Sequence, residues 1–182
     1  MDQDRVADFL FEIGTLRNMR RMQSQVLPEA TDTIASHSFE VAIIGLVLAR
    51  SEDADADKVI RMCLFHDLAE ARIGDANFVH KFYVERSEER ALHDQVVGTP
   101  IEQEILATVE EFEKGESKEA IIAKDADLLD QILVQSATIK DKEDKKLWNE
   151  NSAKGLKTES ARKLAEEISS ANPLSWVYKM AE

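Results

Sequence analysis

The stretch Val59-Ile60-Arg61-Met62-Cys63-Leu64-Phe65-His66-Asp67-Leu68-Ala69-Glu70-Ala71-Arg72-Ile73-Gly74-Asp75 places ligand-type side chains inside an apolar run. It reads as one helix from about Ala56 to Arg72, ended by Gly74, which carries His66-Asp67, then Glu70 one turn later, with Asp75 beyond the glycine. Carboxylates in such a segment are costly unless they are paired, hydrogen-bonded or bound to a metal. Packing alone does not account for them, so this stretch is the candidate site.

The segments on either side are also helical. Val6, Phe9, Leu10, Ile13 and Leu16 recur at helical spacing and predict an amphipathic helix from about Asp4 to Arg20. Met22 to Thr33, with Pro28, breaks the pattern and reads as a loop. Asp32 or Thr33 can cap a largely buried helix to about Arg50, with His37 in its first turns. The alternating aspartates of 52–57 resemble a calcium loop only superficially, because Lys58 and Leu64 stand where glycine and glutamate are needed. They read as a solvated connector with a capping aspartate.

Lys81 through Arg90 is charged and helical in a weak phase. Thr99-Pro100-Ile101-Glu102 combines an N-cap, a first-turn proline and a capping-box glutamate, opening a helix that runs to Lys114 and stops at Gly115. Ser117 starts a long helix to about Thr138, and within its apolar pattern lies Lys124-Asp125-Ala126-Asp127. Asp141 to Lys146 is a charge run of the kind found on solvated faces or loops. Helical pieces follow at 158–169 and 173–180. Without strand alternation, repeats or a linker, residues 1–182 are expected to form one all-α domain, a compact bundle of six or more helices.

A chain of 182 residues suits a single core. Its formal charge of −13 argues against a nucleic-acid polymer or an anionic membrane as partner. The apolar segment Val41 to Ala49 is far shorter than the roughly 20 residues that span a bilayer. Asp2 and Asp4 stand where a basic leader would begin, and the one cysteine, Cys63, cannot form an internal disulfide. A cytoplasmic protein is expected. Arg17, Arg20 and Arg21 gather near one helix end and Lys124 sits beside an acidic cluster, so an anionic substrate stays open; a basic helix end matching the macrodipole explains the arginines equally well.

His37, His66, Asp67 and Asp127 form the core proposal for a metal centre. Imidazole with carboxylate fits one divalent ion, manganese, cobalt, iron, nickel or magnesium, better than a thiolate-rich structural zinc site. Four protein ligands around an octahedral ion leave two positions open. Glu70 is placed for proton transfer, and Asp75 for a similar task or for holding substrate. The second His-Asp pair, His93-Asp94, lacks the apolar lead-in and the later glutamate, and it reads as surface, as does His80. A lone histidine such as His37 is ordinarily a packing residue. The combined order of the three elements is what gives it a ligand reading.

That order, His37 on one helix, His66-Asp67 on the next and Asp127 on a later one, resembles the HD-domain superfamily of metal-dependent phosphohydrolases. The finer string, His66-Asp67-Leu68-Ala69-Glu70 followed by Ile73-Gly74-Asp75, is similar to the YfbR-like 5′-deoxynucleotidase branch, and the similarity extends over roughly residues 8 to 135. The resemblance implies a metal-assisted hydrolase converting (deoxy)ribonucleoside 5′-monophosphates to nucleoside and phosphate, commonly as a homodimer. It implies metal ligation by His37, His66, Asp67 and Asp127, with catalysis and sugar recognition by Glu70 and Asp75. The family's last ligand aligns with Asp127 rather than Asp125.

The chain departs from that branch in having no tryptophan beside the arginines before His37, and Ser36 where glutamate is common. Arg17 or Arg21 would be the phosphate clamp, with Arg17 slightly preferred, and Lys124 a further substrate contact. Three rival readings follow: a phosphodiesterase or pyrophosphohydrolase acting on another nucleotide, a non-catalytic metal- and nucleotide-binding regulatory module, and a structural helical protein with packed histidines. Apolar residues near Trp148 and Trp176 fit a dimer contact or a core role equally well.

Overall fold

A computed structural model of the protein describes residues 2–27 and 29–180. Among the described residues there is no strand, and the sole bridge pairs Arg20 with Thr33. The first helix, α1 (Gln3–Ile13), starts where Asp2 accepts from the amides of Asp4 and Arg5. It does not continue to Arg20 as the periodicity predicts. At Gly14 the winding tightens into a 3₁₀ turn, Gly14–Asn18, which turns Leu16 into the core. A second 3₁₀ turn, Met22–Gln25, occupies the expected loop; Pro28 lies outside the described residues.

Helix α2 (Ile34–Ser51) opens on a reciprocal cap between Thr33 and Ser36. Its 18 residues, with mean hydropathy 1.3, are long and apolar enough to cross a membrane by length and composition alone. Here one face packs against α3 (Ala56–Phe65) and α7 (Lys118–Thr138) with His37 and Ser38 buried, while Phe39, Ile43 and Val47 face outward, so the helix is less buried than its apolar pattern predicts. A Cβ added at Gly45 would lie 2.7 Å from Cys63 Sγ and 2.9 Å from Val59 Cγ1, so a glycine is what lets α2 and α3 approach this closely. Asp55, from the aspartate-rich connector, caps α3.

The expected continuous helix to Arg72 breaks at its most informative point. α3 ends at Phe65, and the next amides reach back only three residues, Leu68 to Phe65 and Glu70 to Asp67, before the short α4 (Glu70–Ile73) and Gly74 with φ +71°. Consecutive residues on an α-helix point apart. Tightening the chain here turns Asp67 back toward His66, which a continuous helix would not do.

Lys81–Arg90 is helical only in part, as a 3₁₀ turn at His80–Phe82 and then α5 (Glu88–Val96). The helix expected after Thr99 begins later, as α6 (Glu102–Lys114), with Ile101 at the cap position and Thr99 buried; Glu102 reaches back to the Gly98 amide. Gly115 ends it in the left-handed region, φ +61°, and Ser117 caps α7. The charge run 141–146 is also helical: Asp141 caps α8 (Lys142–Ala153), whose charged face is solvated. Helices α9 (Glu159–Ser170), capped by Thr158, and α10 (Ser175–Lys179) complete the chain.

Two apolar clusters form. One joins α2, α3, α7 and α9 through Val41, Val59, Met62, Leu129, Ile132 and Ala161. The other gathers Phe9, Leu16, Ile34, Leu68, Leu92, Val96 and Ile105. The chain passes from one cluster to the other between Ile34 and Val41, and again between Cys63 and Leu68. His37 and His66-Asp67 occupy those two crossings.

Candidate metal centre

The four residues proposed as ligands come together. His37 Nε2 lies 3.3 Å from His66 Nε2, 3.3 Å from Asp127 Oδ1 and 3.5 Å from Asp67 Oδ2, and His66 Nε2 lies 3.2 Å from Asp67 Oδ2. The potential ligand atoms of His37, His66 and Asp127 all fall within 4.8 Å of one another. Neighbouring ligands of an octahedral ion sit about 3 Å apart when the bonds are about 2.1 Å. The observed spacings are close to that.

Each ring is oriented from behind. His37 Nδ1 lies 2.6 Å from Asp130 Oδ2, and His66 Nδ1 lies 2.9 Å from the Cys63 carbonyl. A neutral ring whose Nδ1–H donates in this way presents a bare Nε2. Asp127 Oδ1 is buried and receives no donor in good geometry. Bare nitrogens facing carboxylates in a shielded site are stabilised by a cation, and the donor set fits a divalent one. With no such ion, a proton meets part of the demand: burial pulls the His37 imidazole down, but its attraction to the Asp127, Asp130 and Asp67 carboxylates overcomes it and holds it up at about 11. Asp67 is driven well below the usual carboxylate range, its burial outweighed by His66, His37 and Arg21.

Arg21, one of the two arginines considered as a phosphate clamp, lies within the cluster. Its side chain, 6% exposed, sits 2.9 Å from Asp67, 3.1 Å from Asp75 and 3.7 Å from Asp127, occupied in neutralising three carboxylates. Asp75 in turn accepts the Met22 amide at 2.7 Å, tying the 3₁₀ turn after Arg21 to the end of α4. Arg17 is not brought into the cluster; it is exposed, and its Nε donates to the Gly14 carbonyl of its own turn. Lys124 Nζ lies 4.4 Å above the Phe112 ring, whose centroid is 5.2 Å from that of His66. Asp125 points away from the centre and accepts from the amides of Lys157 and Thr158.

A cavity of about 520 Å³ opens beside His66 and Asp67. Glu70 lines it, one carboxylate oxygen buried without a partner. Burial, then the charges of Asp67 and Asp75, push its carboxyl up to about 9. Ile73, Leu92, Leu106 and Val109 make an apolar wall, and Arg86 also faces in. His93 touches the cavity edge, while Asp94 pairs with it at the surface and His80 is exposed.

Two participants escaped the sequence reading. Asp130 had a signal, since it stands three residues after Asp127 on the same helical face. Arg86 had none, because it lies in a charged loop without period.

Fold and cluster define an all-α protein with a histidine–aspartate centre suited to a divalent ion. The family model described as HD domain matches residues 13–169, and the chain belongs to that family. Among curated relatives, the 5′-deoxynucleotidase HDDC2 of Mus musculus is 30% identical over 122 residues, 64% of this chain and 60% of that protein. The Bos taurus counterpart is 30% identical over 119 residues, 63% of this chain and 57% of that protein. The matched stretch therefore spans less than two thirds of either relative. A conserved hypothetical protein from Pyrococcus furiosus superposes with a TM-score of 0.69 at 25% identity, covering 89% of this chain and 98% of that one. A predicted metal-dependent phosphohydrolase from Magnetospirillum magnetotacticum shares the fold with a TM-score of 0.64 at 24% identity, over 91% of this chain and 94% of that one.

Proposed function

We propose that the chain is a divalent-metal-dependent phosphohydrolase, a 5′-nucleotidase releasing phosphate from (deoxy)ribonucleoside 5′-monophosphates. The observation that carries this is the His37, His66, Asp67 and Asp127 cluster opening onto a cavity lined by Glu70, whose carboxylate has a buried oxygen without a partner. The relatives named as 5′-deoxynucleotidases support the substrate class.

His37, His66, Asp67 and Asp127 would hold the ion, which when bound polarises a phosphoryl oxygen and acidifies the attacking water. Arg21 offsets the negative charge of Asp67, Asp75 and Asp127 and fixes their positions. Asp130 and the Cys63 carbonyl set the two rings. Glu70, raised toward its protonated form, donates to the departing 5′ oxygen as the ester P–O bond breaks; water forms the new P–O bond, and the proton it gives up restores the Glu70 carboxyl. The apolar wall keeps other water from the reacting groups.

A homodimer is part of the proposal. Phe39, Ile43 and Val47 leave an exposed apolar stripe along α2, and Trp176 is exposed on α10. Cytoplasmic location is likewise proposed, on the single reduced thiol of buried Cys63.

Incubating purified protein with a panel of nucleoside monophosphates and manganese, cobalt or magnesium should release inorganic phosphate, and Glu70→Gln should cut kcat by about 10²–10⁴-fold. No phosphate from any pairing of ester and metal would overturn the reading.

A further inference from the structure

We propose that Arg86 is the residue that grips the phosphoryl group of the substrate, an assignment that rests on the phosphohydrolase reading above. A phosphate ester next to His66 and Glu70 needs a cationic, multidentate donor facing the same cavity. The arginines ahead of the first ligand do not supply it: Arg21 is enclosed by Asp67, Asp75 and Asp127, and Arg17 lies exposed on its own turn. Arg86 comes instead from the loop before α5.

Three observations set Arg86 apart. It lines the same cavity as His66, Asp67 and Glu70. Its side chain is only 10% exposed, and its Nε is buried without an acceptor. Among the described residues its ion pair is a long one, 3.4 Å, to Glu88, a side chain 58% exposed to water. Such a pair contributes little and exchanges readily. A buried guanidinium N–H left unsatisfied is unfavourable, and a phosphoryl oxygen entering the cavity would satisfy it.

The rest of the lining sharpens what the group attached to the phosphate can be. Besides Glu88, which pairs with Arg86, the exposed Glu89, Glu110 and Glu113 line the cavity, so away from Arg86 its charged groups are anionic. One anionic group fits at the Arg86 end, while a second one farther along the ligand would meet carboxylates. The expected ligand is a monoester whose other half is neutral and rich in hydrogen-bond donors, as a nucleoside is.

The test titrates inorganic phosphate into manganese-loaded protein by calorimetry, with monoester kinetics measured in parallel. Arg86→Gln should weaken phosphate binding about tenfold or more and raise KM by a similar factor with a smaller change in kcat. Arg86→Lys should fall between it and wild type, and Arg90→Gln, an exposed arginine one turn on, should match wild type. Melting temperature and manganese content of each variant separate loss of the grip from loss of the fold. If Arg86→Gln binds phosphate and substrate like wild type, the assignment of Arg86 is overturned while the hydrolase reading stands. If phosphate binding depends on Arg86 but wild type hydrolyses no ester, the grip stands and the hydrolase reading falls.

Discussion

The ligand histidines are held in place by groups that never reach the ion. Asp130 meets His37 Nδ1 at 2.6 Å with 1% of its surface exposed, so it fixes both the tautomer and the ring plane. Partners of this kind are worth about 10–100-fold in metal affinity. Asp130→Asn keeps the shape but can present an amide N–H to the ring, favouring the tautomer with its proton on Nε2. Manganese affinity measured by calorimetry should drop by about that factor, with helix content by circular dichroism unchanged; equal affinity would show that Asp130 has no orienting role. Glu70 is the complementary case, a carboxyl with an unpartnered buried oxygen and two acidic neighbours, which makes it a proton donor at neutral pH.

At the scale of elements, the two aspartates of Lys124-Asp125-Ala126-Asp127 divide between the two sides of α7. Asp127 turns toward the histidines, whereas Asp125, 1% exposed, accepts from Lys157 N at 2.9 Å, Thr158 N at 2.7 Å and Thr158 Oγ1 at 2.6 Å, fastening the start of α9 to α7. Asp125→Ala leaves those donors without their acceptor and should cost about 2–3 kcal/mol in urea unfolding. Calorimetric manganese affinity should hold, and a lost metal site in a folded variant would contradict this division. The cap at Thr33, the start at Ser117 and the stop at Gly115 were legible in the sequence, because capping chemistry is local. So were the long apolar helices and the order His37, His66-Asp67, Asp127. The break after Phe65 was not, since tertiary contacts of Asp67 with Arg21 and His37 decide it. Nor was the burial of Arg21, which depends on carboxylates brought together from the turn after α3, the loop after α4 and α7 itself. Asp141–Lys146, open between a solvated face and a loop on its charges alone, is the exposed first part of α8, the choice being made by the capping Asp141.

For the whole molecule, the centre couples stability, protons and metal. In the metal-free protein, His37 is raised from 6.5 to about 11 and Glu70 from 4.5 to about 9, so between roughly pH 6.5 and 9 the folded chain holds protons that the unfolded chain has released. The His37 contribution is fully present below pH 6.5 and is lost as pH rises toward 11; that of Glu70 is present below 4.5 and is lost on the way to 9. Asp67 and Asp127, both lowered from 3.8, work the other way and weaken the fold as pH falls below that value. Metal-free protein should therefore melt highest at mildly acid pH, around 5 to 6, and at falling temperatures through pH 7 and 8.5. A divalent ion competes with the proton on His37 Nε2, so its binding should release protons and tighten as pH rises. Melting curves at pH 5.5, 7 and 8.5, with and without manganese, should show the metal-induced increase in Tm growing at each step. An increase that stays flat across this range would mean that His37 does not exchange its proton for the ion.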